Sequence, residues 1–410
     1  MGFNLAEIAF LAAHREEIAE VTAQCALTKA TVLADGQRLR AAFGEMGRAV
    51  SELTVARRLA AAKGLNAQWL WTKEAAEQAT PGPVVAVRHG RIASFAPGEG
   101  VWDVTCSVGT ELANYGPTGS SPVDFPVSSP VCFGSDIDPV RVAMARINLT
   151  TPGIFCADAR APAIPAAAAP VIIADPARRA GGRRITRPED LHPPLPDLVA
   201  TYSDRLLAIK CAPGLNYSAW EGLASVVSVN GAVKELCLYS PGLAAGDCRR
   251  EAVVIHTETD GGWWIDRITD TAPDAVDSGP LGSFLIDPDG AIVRAGLVRH
   301  FAARENLHQL DPHIAYLTGE SIPAGYSGFP VREVVPVKKL TAAVRALQIT
   351  AAEILVRGVD VDPVRLRGQL KLRSRAGSGG PAGIIITRIG QERVAVICGL
   401  REFNPRPGSG

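Results

Sequence analysis

The chain has 410 residues, 47% of them hydrophobic and 20% charged. That supports two or three domains with cores of their own and excludes a disordered or membrane-spanning chain. Its 42 basic and 42 acidic residues cancel, but residues 326–410 hold 14 Lys and Arg against 6 Asp and Glu, a local +8 that points toward a polyanion.

Eight cysteines show no C-x-x-C pair and no ligand-like spacing with the seven histidines, which fits a reducing cytoplasm and argues against a zinc site. No apolar run reaches spanning length, and Met1 to Glu7 lacks a basic start followed by a cleavable apolar core. Residues 1–75 read as four short helices punctuated by Gly36, Gly44, Gly47 and Gly64, with Leu5, Ile8, Leu11 and Ala12 on one face. They carry no catalytic constellation, and a helical domain packed on the domain that follows is expected. Thr72 to Pro81 then closes on the breakers Thr80 and Pro81.

Val101 to Leu112 reads as a buried strand running into a tight turn and a helix start. An open α/β sheet presents a small-residue loop to a ligand in this way. Gly109 suits the turn, and Cys106 and Ser107 are small enough to line a passage there. Asn114 to Pro130 is a Gly/Pro/Ser-rich inserted loop. A second strand ends at Asp136, followed by Asp138-Pro139 as N-cap and first helical residue. The helix places Val140, Ala143, Met144 and Ile147 on the face expected to meet the sheet. Third and fourth strands end at Asp158 and at Asp175-Pro176-Ala177-Arg178, the latter opening a loop with Arg179, Arg183, Arg184 and Arg187. The fifth, Leu206 to Lys210, ends at Cys211-Ala212-Pro213-Gly214. Asn230-Gly231 marks a hairpin within Ser225 to Ser240, and Glu251 to His256 adds a strand. Trp263 and Trp264 read as hydrophobic cover, and 271–325 as a connecting segment. Residues 326–410 run strand, helix, strand, helix, strand, strand.

The ordered motifs D-x-x-C-x-x-G, D-I-D-P, C-A-D-A and A-D-P-A-R-R resemble the class I S-adenosylmethionine-dependent methyltransferases. More narrowly they resemble a bacterial branch with a C-terminal THUMP-like domain, for which Arg357 to Pro363 is the most similar segment. The resemblance implies an N-terminal helical domain (1–75), a Rossmann-like α/β methyltransferase domain (76–270), the connection (271–325) and an α+β THUMP-like domain (326–410). It implies S-adenosyl-L-methionine as cofactor, RNA (tRNA or rRNA) as partner through the basic C-terminal domain, and no metal or membrane. By the family pattern Asp103 accepts from the cofactor's ammonium, and Glu111 faces its methionine part. Asp136, beside Ile137, takes the ribose, since a carboxylate accepts from two vicinal hydroxyls. Asp158, beside Ala159, accepts the adenine amine. Thr72 to Pro81 is similar to the family's E-Q-A-T segment, and distantly to one in trimethylguanosine synthases, so Gln78 and Thr80 are candidates to cover the cofactor.

Asp175 and Pro176 stand where N-methylating members hold the target amine, with Arg178 in the place of their aromatic residue. An arginine plane stacks on a base or pairs with a phosphate. Two departures are Ser107 and Thr110, where glycine is usual. With the missing aromatic they keep a non-catalytic RNA-binding scaffold in play. Cys211 in C-x-P spacing, with D-P-x-R upstream, resembles the uracil-C5 methyltransferases and offers a cysteine nucleophile as another chemistry. A dehydrogenase is disfavoured: it wants G-x-G-x-x-G where this chain has C-S-V-G-T-E.

Overall fold

The computed structural model describes residues 2–115, 131–149, 153–177, 179–180, 183–258, 262–370, 372 and 380–406. All but the first two residues of the expected insertion at Asn114 to Pro130 fall outside them. The chain forms two compact units, one of residues 1–249 and 254–266, the other of 250–253 and 267–410. Among the described residues no helix is long and apolar enough to cross a membrane.

The first unit opens with helices α1 (Leu5–Ala13), α2 (Arg15–Thr22), α3 (Val32–Phe43) and α4 (Gly47–Ala61). A capping box starts α1: Asn4 Oδ1 accepts from the Glu7 N–H and the Glu7 carboxylate accepts from the Asn4 N–H, both at 2.9 Å. Ile8 and Leu11 are buried on the expected face, whereas Leu5 points to solvent. Two further helices, α5 (Lys73–Gln78) and α6 (Gly82–Phe95), lead into the sheet.

The sheet then builds through β1 (Val101–Asp103), β2 (Cys132–Asp136), α7 (Pro139–Asn148), β3 (Gly153–Cys156) and β4 (Val171–Ala174). A two-residue pair, β5 (Arg179–Ala180) and β6 (Arg183–Arg184), and α8 (Leu195–Thr201) precede β7 (Leu206–Cys211). The strands β8 (Leu223–Val229), β9 (Ala232–Tyr239), β10 (Arg250–Thr257) and β11 (Trp263–Thr269) complete it in the order β11-β10-β8-β9-β7-β4-β1-β2-β3. The β8–β9 hairpin turns through Asn230 and Gly231, both at positive φ (48° and 80°), as an Asn-Gly type I′ turn requires. From β7 to β3 the strands are parallel and nearly all apolar. The chain winds outward from β1 to β3, returns to β4, and winds the other way to β7. The crevice at the carboxyl ends of β1 and β4 is therefore a topological switch point, where open α/β sheets bind ligands.

The helix α7 departs from its expected packing. Val140, Ala143, Met144 and Ile147 meet the core of the N-terminal helices, while Val142 and Ala145 on the other side enter the sheet core. The helix has two apolar neighbours, so its stripe did not identify the sheet. Asn148 ties the parts together, accepting from the Leu70 N–H (2.7 Å) and donating to the carbonyls of Leu70 and Val108.

The second unit includes β12 (Phe284–Ile286), α9 (Gly290–Ala295), α10 (Val298–Arg304), β13 (His308–Asp311) and β14 (Ile314–Gly319). It continues with β15 (Ser327–Pro336), α11 (Leu340–Ala346), β16 (Ala351–Val356), α12 (Pro363–Leu370), β17 (Pro381–Ile389), β18 (Glu392–Cys398) and β19 (Glu402–Phe403). Residues 271–325 are thus more than a connection: β12, β13 and β14 join the C-terminal strands in one sheet, β13-β14-β12-β15-β18-β17-β16, with β19 beside β15. The expected β-α-β-α-β-β order after residue 326 is present. Arg357 and Gly358, at the segment that carried the THUMP-like resemblance, do packing work. The Arg357 guanidinium lies over the Tyr316 ring (5.0 Å) and pairs with Asp287 at 2.9 Å. Gly358 has φ 72° and sits against Ile314 so closely that a Cβ would collide.

Candidate active site

A cavity of about 920 Å³ opens at the carboxyl ends of the parallel strands. Six of the strand-end candidates line it: Asp136 and Ile137 after β2, Asp158 and Ala159 after β3, Asp175 and Pro176 after β4. Gln78 and Thr80, from α5 and the turn after it, line it too. Thr72 caps α5 by accepting from the Ala75 N–H (3.0 Å), and Lys63 donates to the carbonyls of Ala76 and Glu77 at its other end.

Each strand-end acid is differently held. Asp136 accepts from the backbone N–H of Ser107 (3.0 Å) on one oxygen and of Asp138 (2.9 Å) on the other, leaving each oxygen a further acceptor position. Asp158 is clasped by Arg160 (2.8 Å), whose hydrogen bonds hold its carboxyl below the ordinary range. Ile137 is 67% exposed and adds an apolar surface to the cavity lining next to Asp136. Of the two positions where glycine is usual, only Ser107 takes a positive φ (50°). That conformation costs a non-glycine residue roughly 1–2 kcal/mol, and the hydrogen bond from its N–H to Asp136 offsets it.

From the cavity wall inward runs a polar network in which Thr105, Arg88 and Lys210 were not singled out by the sequence. The Thr105 hydroxyl donates to Asp103 (3.3 Å) and accepts from the Asp175 N–H (2.6 Å), joining the ends of β1 and β4. Arg88 is fully buried in α6 and forms a fork on Glu111, Nε to Oε1 at 2.7 Å and Nη2 to Oε2 at 2.9 Å, and also bonds Glu235. Lys210, buried at the end of β7, lies 2.8 Å from Asp175 and 3.7 Å from Glu111. Burial alone would raise the Glu111 carboxyl, but Arg88 and Lys210 outweigh it and hold the group below the usual glutamate range. A signal existed: Arg88 follows the apolar run Val84 to Val87, and Lys210 ends the apolar run from Leu206 to Ile209. Charges so placed need buried partners.

Several expected positions fall elsewhere. Asp103 and Glu111 lie beneath the cavity and do not line it. Cys106 turns into the sheet core and leaves the wall to Thr105 and Ser107. Gly109 has φ 95°, a conformation L side chains rarely adopt, and a Cβ there would also press on the Leu149 side chain. Arg178 is outside the described residues. The loop that follows Asp175-Pro176 closes on itself, with the Ala177 N–H donating to the His192 carbonyl at 2.7 Å. Cys211 is wholly buried, bonds the Ile209 carbonyl and is absent from the cavity wall, although Ala212 and Pro213 beside it are present. Among the described residues no three His, Cys, Asp or Glu side chains group as metal ligands.

Burial, and next the charge of Glu111, push Asp103 up to about 7. Folded protein therefore keeps this proton to about pH 7, while an unfolded chain releases it near 3.8. Folding takes up a proton in that window, so this group lowers stability as pH rises through it. Asp103→Asn should remove that slope: its melting temperature should gain on wild type between pH 5 and pH 8 (roughly the window above). A constant difference across the range would contradict the shift.

The comparisons agree with this architecture. The THUMP domain-like family matches residues 326–400. An uncharacterized S-adenosylmethionine-dependent methyltransferase of Mycobacterium tuberculosis H37Rv is 42% identical over 368 residues, covering 86% of this chain and 96% of its own. Its counterpart in strain CDC 1551 / Oshkosh matches to the same extent. A crystal structure of a candidate methyltransferase from Porphyromonas gingivalis W83 shares the fold at TM-score 0.67 and 16% identity, over 97% of this chain and 99% of that one. At such identity over most of both chains, this protein belongs to the S-adenosylmethionine-dependent methyltransferases, with a THUMP-like domain at its C-terminus.

Proposed function

We propose that this enzyme methylates an exocyclic amine of a base in tRNA or rRNA. The observation that carries the reading is that Asp175 and Pro176 line the same cavity as Asp136, Ile137 and Asp158. S-adenosylmethionine supplies an electrophilic methyl group when bound. In this reading Asp136 accepts from the ribose hydroxyls, Ile137 and Ala159 pack against the purine, and Asp158 accepts its amine. Gln78 and Thr80 cover the site, and Asp103 acts from below through Thr105. Asp175 and the Pro176 carbonyl accept the hydrogens of the target amine and so aim its lone pair. Much of the catalysis is then positioning, and Asp175 receives the proton that nitrogen gives up. The burial of Cys211 favours amine transfer over attack on a pyrimidine ring.

Asp136→Ala tests the nucleoside subsite. It removes charge-assisted acceptors, each worth about 1.5–3 kcal/mol, and frees the Ser107 N–H. Calorimetry should show S-adenosylmethionine affinity falling by that order; unchanged affinity would remove Asp136 from the site.

The RNA reading is supported by the basic THUMP-like region. Arg357, Arg388 and Arg401 pair with Asp287, Asp311 and Glu353. Arg332, Lys338, Lys339, Arg345, Arg365 and Arg367 are exposed and make no ion pair among the described residues. Truncation at residue 326 would cut through the sheet that β12–β14 share with β15, so point substitutions are the sounder test. Changing Lys338, Lys339 and Arg345 to Glu should weaken RNA binding and flatten its salt dependence, by roughly 0.7–0.9 in slope for each phosphate no longer neutralised. Cofactor affinity should stay the same. RNA affinity indifferent to both salt and these changes would exclude this surface as the RNA platform.

A further inference from the structure

A lysine at the end of a buried strand requires explanation, because an apolar side chain would fill the same space without the cost of dehydrating an ammonium. Neutralising Glu111 does not supply the reason. Arg88 already holds both Glu111 oxygens, at 2.7 and 2.9 Å, and Lys210 stands 3.7 Å from that carboxylate. Its near partner is Asp175, at 2.8 Å, and both residues line the cavity. Glu235, Arg88, Glu111, Lys210 and Asp175 form a connected series of charges that begins inside the sheet and ends on the cavity wall.

We propose that Lys210 is a positioning residue for methyl transfer: its ammonium holds one oxygen of Asp175 and keeps that carboxylate ionised and oriented toward the target amine. This rests on the reading of Asp175 as the amine acceptor. Among the described residues, the charges facing the pair include Glu111 from the turn after β1, Arg88 from α6, Glu235 from β9 and Asp103 from the end of β1. Burial would lower the Lys210 ammonium, yet Asp175 and Glu111 outweigh it and hold it above the ordinary lysine value, so it stays charged where the enzyme works. Without Lys210, the group of Glu111, Glu235, Asp103 and Asp175 loses one cation. Asp175 then takes up a proton more readily, and a protonated carboxyl is a poor acceptor for an amine hydrogen. Asp103 shifts in the same direction, because Lys210 lowers it too.

The test measures transfer of labelled methyl from S-adenosylmethionine to total RNA from a strain lacking this enzyme, over a range of pH, with wild type, Lys210→Met, Lys210→Arg and Asp175→Ala. Lys210→Met should lose at least tenfold in kcat at neutral pH. The acid limb of its profile should move to higher pH by about one to three units, the range for a carboxylate deprived of a neighbouring cation. S-adenosylhomocysteine affinity should change far less than kcat, and Lys210→Arg should restore most of the profile. If Lys210→Met does not fold, Lys210→Gln takes its place, keeping a donor without the charge. A wild-type kcat and profile in the uncharged variant overturns the role of Lys210 while leaving Asp175 standing. An active Asp175→Ala, or a wild-type enzyme inert toward this RNA, overturns the underlying reading and the inference with it.

Discussion

Asp175→Ala should reduce methyl transfer by roughly two to three orders of magnitude, as loss of one preorganised polar contact at a reacting centre does, while S-adenosylmethionine still binds. The separation follows from the geometry. Asp175 is bonded through its N–H to Thr105 and through its carboxylate to Lys210. The acids proposed for the nucleoside, Asp136 and Asp158, stand on other strand ends. The backbone contact survives truncation of the side chain, so the turn should keep its shape. Cys211→Ala is the companion measurement. Its thiol is buried against the Ile209 carbonyl, so the variant should keep most of its activity. Full activity in Asp175→Ala, or loss of activity together with loss of cofactor binding, would contradict the assignment.

Arg88→Met should cost about 3–5 kcal/mol in folding stability, the penalty for removing one partner of a buried ion pair. Glu111 and Glu235 are each nearly inaccessible to water, and Arg88 is the shared donor to both. Lys210 compensates little, because it is 3.7 Å from Glu111 and engaged with Asp175. The charges left behind, more than the missing hydrogen bonds, carry the loss. Changing Glu111 and Glu235 to Gln in the same protein should therefore recover a large part of it. Urea denaturation reads both effects. An Arg88→Met protein as stable as wild type would mean the network contributes nothing to the fold.

The parallel strands and their terminal acids were legible because an apolar run closed by Asp has few other interpretations in an α/β chain. Asp136, Asp158 and Asp175 line a common cavity as that pattern implies. Asn230-Gly231 announced its hairpin by backbone chemistry alone. The Arg88–Glu111–Lys210–Asp175 series was not legible, since its members lie far apart in the chain and meet only through the order of the strands. The burial of Cys106 depended on which side of the turn faces the core, and small residues on both sides conceal that. The strands within 271–325 escaped notice because β12 has three residues and is followed by two short helices. Such a short strand gains its identity from the neighbours it pairs with, β14 and β15.

The measurement that bears most directly on the central claim is mass spectrometry of nucleosides from tRNA and rRNA, comparing a strain lacking this enzyme with its parent and with strains complemented by wild type or Asp175→Ala. The account predicts one base methylated on an exocyclic nitrogen that disappears on deletion, returns with wild type and stays absent with Asp175→Ala. Identical nucleoside profiles in all four strains, or a lost methyl group located on a ring carbon, would contradict it.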